Sequence, residues 1–118
     1  MYQHRIPPRK KPKDDDGYFE ILAQSVFQAG FSWEVVRRKW PSFRKPFFNF
    51  KIERVAALTP RNVSHLMRDP GIIRNSEKIL AVIENARIFQ KLQKEHGSFK
   101  NYIRSLRPLP YEKRRAVL

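Results

Sequence analysis

A glycine and a serine two positions apart, Gly30 and Ser32, are the sequence feature that most constrains how this chain folds. A helical pattern runs up to Ala29, and Gly30 then supplies the left-handed position that follows many helix ends, because it has no β-carbon. Ser32 is a favoured N-cap residue, so a second helix is predicted to begin at Trp33. An indole beside the free amide groups of a helix start suits a planar ligand such as a nucleobase. The alternative is that Trp33 packs in the core.

The rest of the chain is also helical in pattern. Apolar residues recur three and four positions apart, and no segment alternates apolar and polar residues with a period of two. The sequence therefore predicts an all-α fold of about six helices. In the N-terminal half, helices are expected over 16–29, over 33–40 ending before Pro41, and over 51–58, with an irregular helical turn within 41–50. In the C-terminal half, helices are expected from Pro60 to about residue 69, over 76–96, and from the residue after Ser98 to about residue 106.

The charge of the chain predicts a polyanionic partner. It has 25 basic and 11 acidic residues, a formal net charge of +14. The predicted organisation is a disordered basic arm over 1–15, a helical domain over 16–106, and a tail or the start of an unfinished helix over 107–118. The central domain keeps an excess of basic groups without these ends. Nucleic acid is the commonest partner of a protein with such a positive electrostatic field. The alternative is a solvated basic face without a partner.

Other classes of site have little support in the composition. There is no cysteine, and His4, His65 and His96 lie far apart, so no metal site is expected. No apolar run approaches the roughly 20 residues of a membrane span, so no membrane partner is expected. A monomeric protein of the cytoplasm, associated with the nucleoid when bound to DNA, is the expectation.

Two blocks of sequence resemble one known family. The first is Phe27-Gln28-Ala29-Gly30-Phe31-Ser32-Trp33, with Val36 and Trp40, and the second is Asp69-Pro70-Gly71-Ile72-Ile73-Arg74-Asn75, with Lys78-Ile79 and 83–87. In this order they resemble DNA-3-methyladenine glycosylase I, of the helix-hairpin-helix DNA glycosylases, over residues 17–106. The resemblance implies an enzyme of base excision repair. Its partner would be double-stranded DNA with alkylated bases, and it would flip the base out and hydrolyse the N-glycosidic bond.

The resemblance also implies site residues. Trp33, Gln28 and Ser25 would contact the base, and Trp33 would be the aromatic wall of its pocket. The residues expected to contact DNA are Gly30, Phe31, Arg74, Asn75 and Lys78. For Arg74 and Lys78 the reason is that amides at a helix start, with basic groups nearby, bind phosphate. The alternative for Arg74 and Asn75 is a role as turn and cap residues only.

The chain departs from the family at several points. Ser25 stands where the family has a pocket carboxylate, so the catalytic residue is unassigned, and Glu34 is the one local substitute. The alternative for Glu34 is a favourable charge in the first turn of a helix. The family's zinc site needs cysteines, so no cofactor is expected. The DNA-gripping hairpin follows residue 118 in the family's order, and no glycine follows Gly97, so the chain resembles the N-terminal two-thirds of a glycosylase domain. The alternative function is a non-catalytic DNA-binding module or an inactive fragment.

Overall fold

The computed structural model describes residue 12 and residues 14–106. This part of the chain contains α-helices and one 3₁₀ turn but no strand, which confirms the all-α prediction with six helices. The elements are α1 (Asp15–Gln28), α2 (Trp33–Arg44), the 3₁₀ turn Phe48–Phe50, α3 (Ile52–Ala56), α4 (Pro60–Leu66), α5 (Ser76–His96) and α6 (Phe99–Leu106). The expected tail over 107–118, and residues 1–11 and 13 of the expected arm, lie outside the described residues. None of the helices that the structure describes is long and apolar enough to cross a membrane.

Short-range capping explains why most helices begin where they do. The side chains of Asp14, Ser32 and Asn75 each accept a hydrogen bond from a backbone N–H three residues later. Thr59 and Asn62 form a reciprocal capping box at the start of α4. These signals are local in sequence, which is why the pattern located the helix starts.

The core has an aromatic part between α1, α2 and the 3₁₀ turn and a mainly aliphatic part along α5. Phe27 packs edge-on against Phe43 with ring centroids 4.9 Å apart, and Trp40 stacks on Phe50 at 4.7 Å. Helix α5 adds one buried stripe, Ile79, Val82, Ile83, Ala86 and Phe89. Helices α1 and α3 pack against α5, and α1 in turn packs against α2.

The prediction that the second helix stops before Pro41 is wrong. Helix α2 continues through Pro41 to Arg44. Pro41 is exposed, whereas Trp40 and Phe43 on either side of it are 2% and 0% exposed. Burial of these two aromatic side chains offsets the backbone hydrogen bond that proline cannot donate.

Three consecutive aspartates, Asp14, Asp15 and Asp16, each accept hydrogen bonds at the start of a different helix. Asp14 caps α1 itself, Asp16 Oδ1 accepts from the backbone N–H of Ile52 at 2.9 Å, and Asp15 accepts from the first amides of α6. Negative charge at a helix N-terminus is favourable, so each carboxylate stabilises a different helix. Asp14 and Asp15, which the sequence assigned to the disordered arm, are therefore part of the folded domain.

Candidate functional site

The turn between α1 and α2 is closed by its own hydrogen bonds. Gly30 has φ +86°, the left-handed conformation expected for it. The backbone N–H of Phe31 donates to the carbonyl of Gln28 at 2.7 Å, and Gln28 Nε2 donates to the carbonyl of Phe31 at 3.0 Å. We call Gln28–Trp33 the α1–α2 turn. Its shape is fixed both by a backbone bond and by the side chain of Gln28.

Two aromatic side chains of this turn reach the surface. Phe31 is 42% exposed, and Trp33, the first residue of α2, is partly exposed. The other tryptophan, Trp40, is 2% exposed and donates its indole N–H to Glu20 at 2.7 Å. Trp33 is therefore not a member of the buried core, which was the alternative that the sequence left open.

The second sequence block forms the approach to α5. Ile72 and Ile73 are 3% and 9% exposed and anchor the loop in the core. Arg74 is exposed. The side chain of Asn75 accepts from the backbone N–H of Lys78 at 3.0 Å, so Asn75 does act as the cap of α5. The exposed residues at this helix start are thus Arg74, Ser76 and Glu77.

Lys78 joins the two blocks. Its ammonium donates to the carbonyl of Phe27 at 3.2 Å and also to the carbonyl of Ala29. The same Nζ lies 4.9 Å from the centroid of the Phe31 ring, a cation–π distance. The α1–α2 turn and the start of α5, 49 positions apart in sequence, are in this way one structural unit.

The carboxylates closest in sequence to this unit are bound by other side chains or lie in the first turn of a helix. Ser25 is exposed, and its hydroxyl donates to the carbonyl of Ile21, one turn earlier in α1, at 3.2 Å. Glu20 is held by Trp40 and by Arg44 Nε at 3.2 Å. Glu34 is exposed in the first turn of α2, where its charge favours the helix dipole.

Sequence reasoning missed the role of Glu20 as the partner of Trp40. The two residues are 20 positions apart on different helices, and no local spacing signals such a pair. Within residues 14–106, no group of three or more His, Asp or Glu side chains is arranged to hold a metal ion.

The comparisons with known proteins agree with this architecture. A solved structure of 3-methyladenine DNA glycosylase I from Staphylococcus aureus superposes with a TM-score of 0.77 at 28% identity, covering 81% of this chain and 51% of that one. DNA-3-methyladenine glycosylase 1 of Escherichia coli is 35% identical over 90 residues, 76% of this chain and 48% of that protein. The DNA-3-methyladenine glycosylase of Haemophilus influenzae is 31% identical over 94 residues, 79% of this chain and 51% of that protein.

The fold thus defines a domain of the DNA glycosylase class. A model of the methyladenine glycosylase family matches residues 9–116, and the chain belongs to that family. It spans about half the length of the curated relatives that it matches.

Proposed function

We propose that this protein acts in base excision repair by removing 3-methyladenine from alkylated DNA. One observation carries the proposal: the α1–α2 turn places Trp33, which is partly exposed, at a helix start, and the same turn carries the exposed Phe31. The relatives named above are 3-methyladenine glycosylases, and the S. aureus structure is described as the basis of 3-methyladenine recognition.

The physical role of Trp33 would be to hold the extruded base. In DNA a 3-methylated adenine is cationic, so an indole face attracts it by stacking and by a cation–π interaction. Gln28 and the backbone of Gly30 would line the same pocket, and Ser25 Oγ could accept a hydrogen bond there. A normal adenine lacks the charge, and so gains less from the same surface.

The cation also makes the chemistry easier. In the hydrolysis, the oxygen of a water molecule forms a bond to C1′ of the deoxyribose while the bond from C1′ to N9 breaks. The electron pair of that bond neutralises the base, which leaves as 3-methyladenine, and the water loses a proton to solvent. A leaving group that starts with a positive charge needs no protonation by a general acid. This is compatible with the neutral Ser25 at the position of the family's carboxylate.

The DNA backbone would lie against the start of α5. Arg74 is exposed there, and the partial positive charge at the start of a 21-residue helix attracts phosphate. Phe31 and Gly30 would face the same strand. Because the α1–α2 turn and the start of α5 come from one chain, we propose that the protein acts as a monomer on double-stranded DNA. Its place of action would be the cytoplasm, on the nucleoid when bound.

Release of methylated base is the direct test. The 118-residue chain is incubated with methylated duplex DNA, and free 3-methyladenine is quantified by mass spectrometry against spontaneous depurination. We expect release above the spontaneous rate, and loss of that excess in Trp33→Ala. Phe48→Ala, which removes another aromatic side chain that is 36% exposed, is the matched control and should keep the activity. Release at the spontaneous rate by the wild type would refute the enzymatic function.

A second function, binding of alkylated DNA without hydrolysis, is favoured by the acid–base groups of the site. Ser25 cannot carry negative charge, and Glu20, more than one turn earlier in α1, is engaged by Trp40 and Arg44. This function predicts a preference for alkylated over normal duplex, without release of base. Ser25→Glu would restore a carboxylate at that position of α1. A gain of base release in Ser25→Glu would identify the missing carboxylate as the reason for inactivity.

A further inference from the structure

The environment of the Lys78 ammonium is unlike that of a phosphate-binding lysine. It lies at the C-terminal end of α1, where it donates to the carbonyls of Phe27 and Ala29. Carbonyls at the end of a helix carry partial negative charge, so this position attracts a cation. The ammonium has three donors, and two of them are used within the protein.

The position of Lys78 along α5 strengthens this point. Asn75 is the N-cap, so Lys78 is the third residue of the helix, where positive charge is unfavourable to the helix dipole. Its own backbone N–H is bound by Asn75. Lys78 lies near the N-terminus of its own helix, where positive charge is unfavourable. It is stabilised because its side chain reaches the C-terminal end of α1.

The contacts of Lys78 join a rigid point to the surface turn. Phe27 is 0% exposed and packs against Phe43 at 4.9 Å, so its carbonyl is a fixed anchor. Ala29 and Phe31 are exposed. The ammonium bonds the carbonyl of Ala29 and lies 4.9 Å from the ring of Phe31. It therefore holds both sides of Gly30, the residue at which the chain reverses.

We propose that Lys78 is a positioning residue, whose charge is used inside the protein to hold the α1–α2 turn in the arrangement that lets Trp33 receive the methylated base. The proposal rests on the proposed function, and it stands in place of the phosphate contact that the sequence suggested for Lys78. Lys78 does not touch the base. It acts through Phe31 and the backbone of Ala29.

The first test measures the turn without DNA. The full chain is labelled with 5-fluorotryptophan, and its two tryptophan ¹⁹F resonances are assigned with Trp33→Phe. Lys78→Met keeps the length of the side chain and removes the donors, and we expect it to shift and broaden the Trp33 resonance while Trp40 stays in place. Lys78→Arg keeps a charged donor and should remain close to the wild type. Lys91→Met, at an exposed site on the same helix, should change neither resonance. A wild-type Trp33 resonance in Lys78→Met would overturn the proposal.

The second test measures selectivity for the base. The dissociation constants of free 3-methyladenine and of adenine are measured for the same variants by calorimetry. Loss of a charged hydrogen bond that orients a site weakens binding by about tenfold to a hundredfold, which is the loss expected for 3-methyladenine in Lys78→Met. Lys78→Arg should recover most of it. An unchanged dissociation constant in Lys78→Met would overturn the proposal.

The third test asks whether Lys78 binds phosphate. A lysine that neutralises one phosphate contributes about 0.9 to the slope of log affinity against log salt concentration on duplex DNA. We expect Lys78→Met to leave this slope unchanged and Arg74→Met to reduce it. A reduction in Lys78→Met with a normal Trp33 resonance would identify Lys78 as a phosphate ligand instead. If the wild type fails to bind 3-methyladenine, the proposed function falls, and the fluorine spectra and salt slopes still decide whether Lys78 holds the turn.

Discussion

The carboxylate of Asp15 accepts a hydrogen bond from the backbone N–H of Phe99 at 2.8 Å, across 84 positions of sequence. It also accepts from the backbone N–H of Lys100 at 3.2 Å and from Gln93 Nε2 at 2.9 Å. The first helix thereby caps the last described helix and holds the end of α5. This one side chain attaches the two ends of the domain to each other.

Asp15→Ala should therefore lower the free energy of unfolding more than is usual for a residue that is not fully buried. It leaves two amides of α6 and the Gln93 amide without their acceptor, and hydrogen bonds to a charged group contribute about 1.5–3 kcal/mol. We expect the free energy of unfolding in urea to fall by about 2–3 kcal/mol. Asp14→Ala removes a cap within one helix and should cost about 1 kcal/mol. Equal losses in the two variants would contradict the role assigned to Asp15.

The pair of Glu20 and Trp40 predicts a difference between two substitutions at Glu20. Glu20→Ala leaves the buried indole N–H of Trp40 unbonded, which costs about 2–3 kcal/mol, whereas Glu20→Gln retains an acceptor and should cost about 1 kcal/mol or less. Chemical unfolding measures both. Arg44→Ala is the control for the exposed ion pair and should cost no more than about 1 kcal/mol. A Gln variant as unstable as the Ala variant would show that the charge of Glu20, and not its hydrogen bond, is what matters.

Pro41→Ala should stabilise the protein. Pro41 lies inside α2, is exposed, and removes one backbone donor from the helix. Proline in a helix interior is about 3 kcal/mol less favourable than alanine, and the greater freedom of the unfolded alanine chain offsets part of this gain, so we expect about 1–2 kcal/mol. The measurement is the unfolding free energy in urea.

The same substitution at Pro60 is the matched control for Pro41. Pro60 is the first residue of α4, where proline is favoured, and Pro60→Ala should bring no gain. A gain at Pro60, or a loss at Pro41, would contradict this account of α2.

Two glycines with nearly the same positive φ allow an effect on stability to be distinguished from an effect on base binding. Gly30 has φ +86° and Gly97 has φ +88°. Alanine at a positive φ costs roughly 1–2 kcal/mol, so Gly30→Ala and Gly97→Ala should both lower the unfolding free energy. Only Gly30→Ala should also weaken binding of 3-methyladenine, because Gly30 lies in the α1–α2 turn. Equal effects of the two variants on base binding would argue against a role for the turn.

Local signals made much of the fold predictable. Ser32, Thr59 and Asn75 each bond to an amide three residues later, so the chemistry of the cap is contained in a few letters of sequence. The same holds for Gly30, which follows the end of α1. The extension of α2 past Pro41 was not predictable, because it depends on the burial of Trp40 and Phe43 against other helices.

The sequence located the candidate site, but it did not show which side chains are exposed or how the two sequence blocks are attached to each other. Trp33 and Trp40 are seven positions apart, on the same face of α2, yet one reaches the surface and the other is buried. Trp40 is covered by Phe27 and Phe50, which lie on other elements, so the pattern of α2 does not contain this difference. The attachment of Lys78 to the end of α1 joins residues 49 positions apart and has no local signature.

Binding of the free base by Trp33 tests the central claim most directly. The wild type and Trp33→Ala are titrated with 3-methyladenine, and the affinity of each for unmodified duplex DNA is measured in parallel. Stacking on an aromatic side chain contributes about 1–3 kcal/mol per base, so Trp33→Ala should weaken 3-methyladenine binding by about tenfold to a hundredfold. Duplex affinity should change little. A Trp33→Ala protein that retains the wild-type affinity for 3-methyladenine would contradict the claim that the α1–α2 turn receives the methylated base.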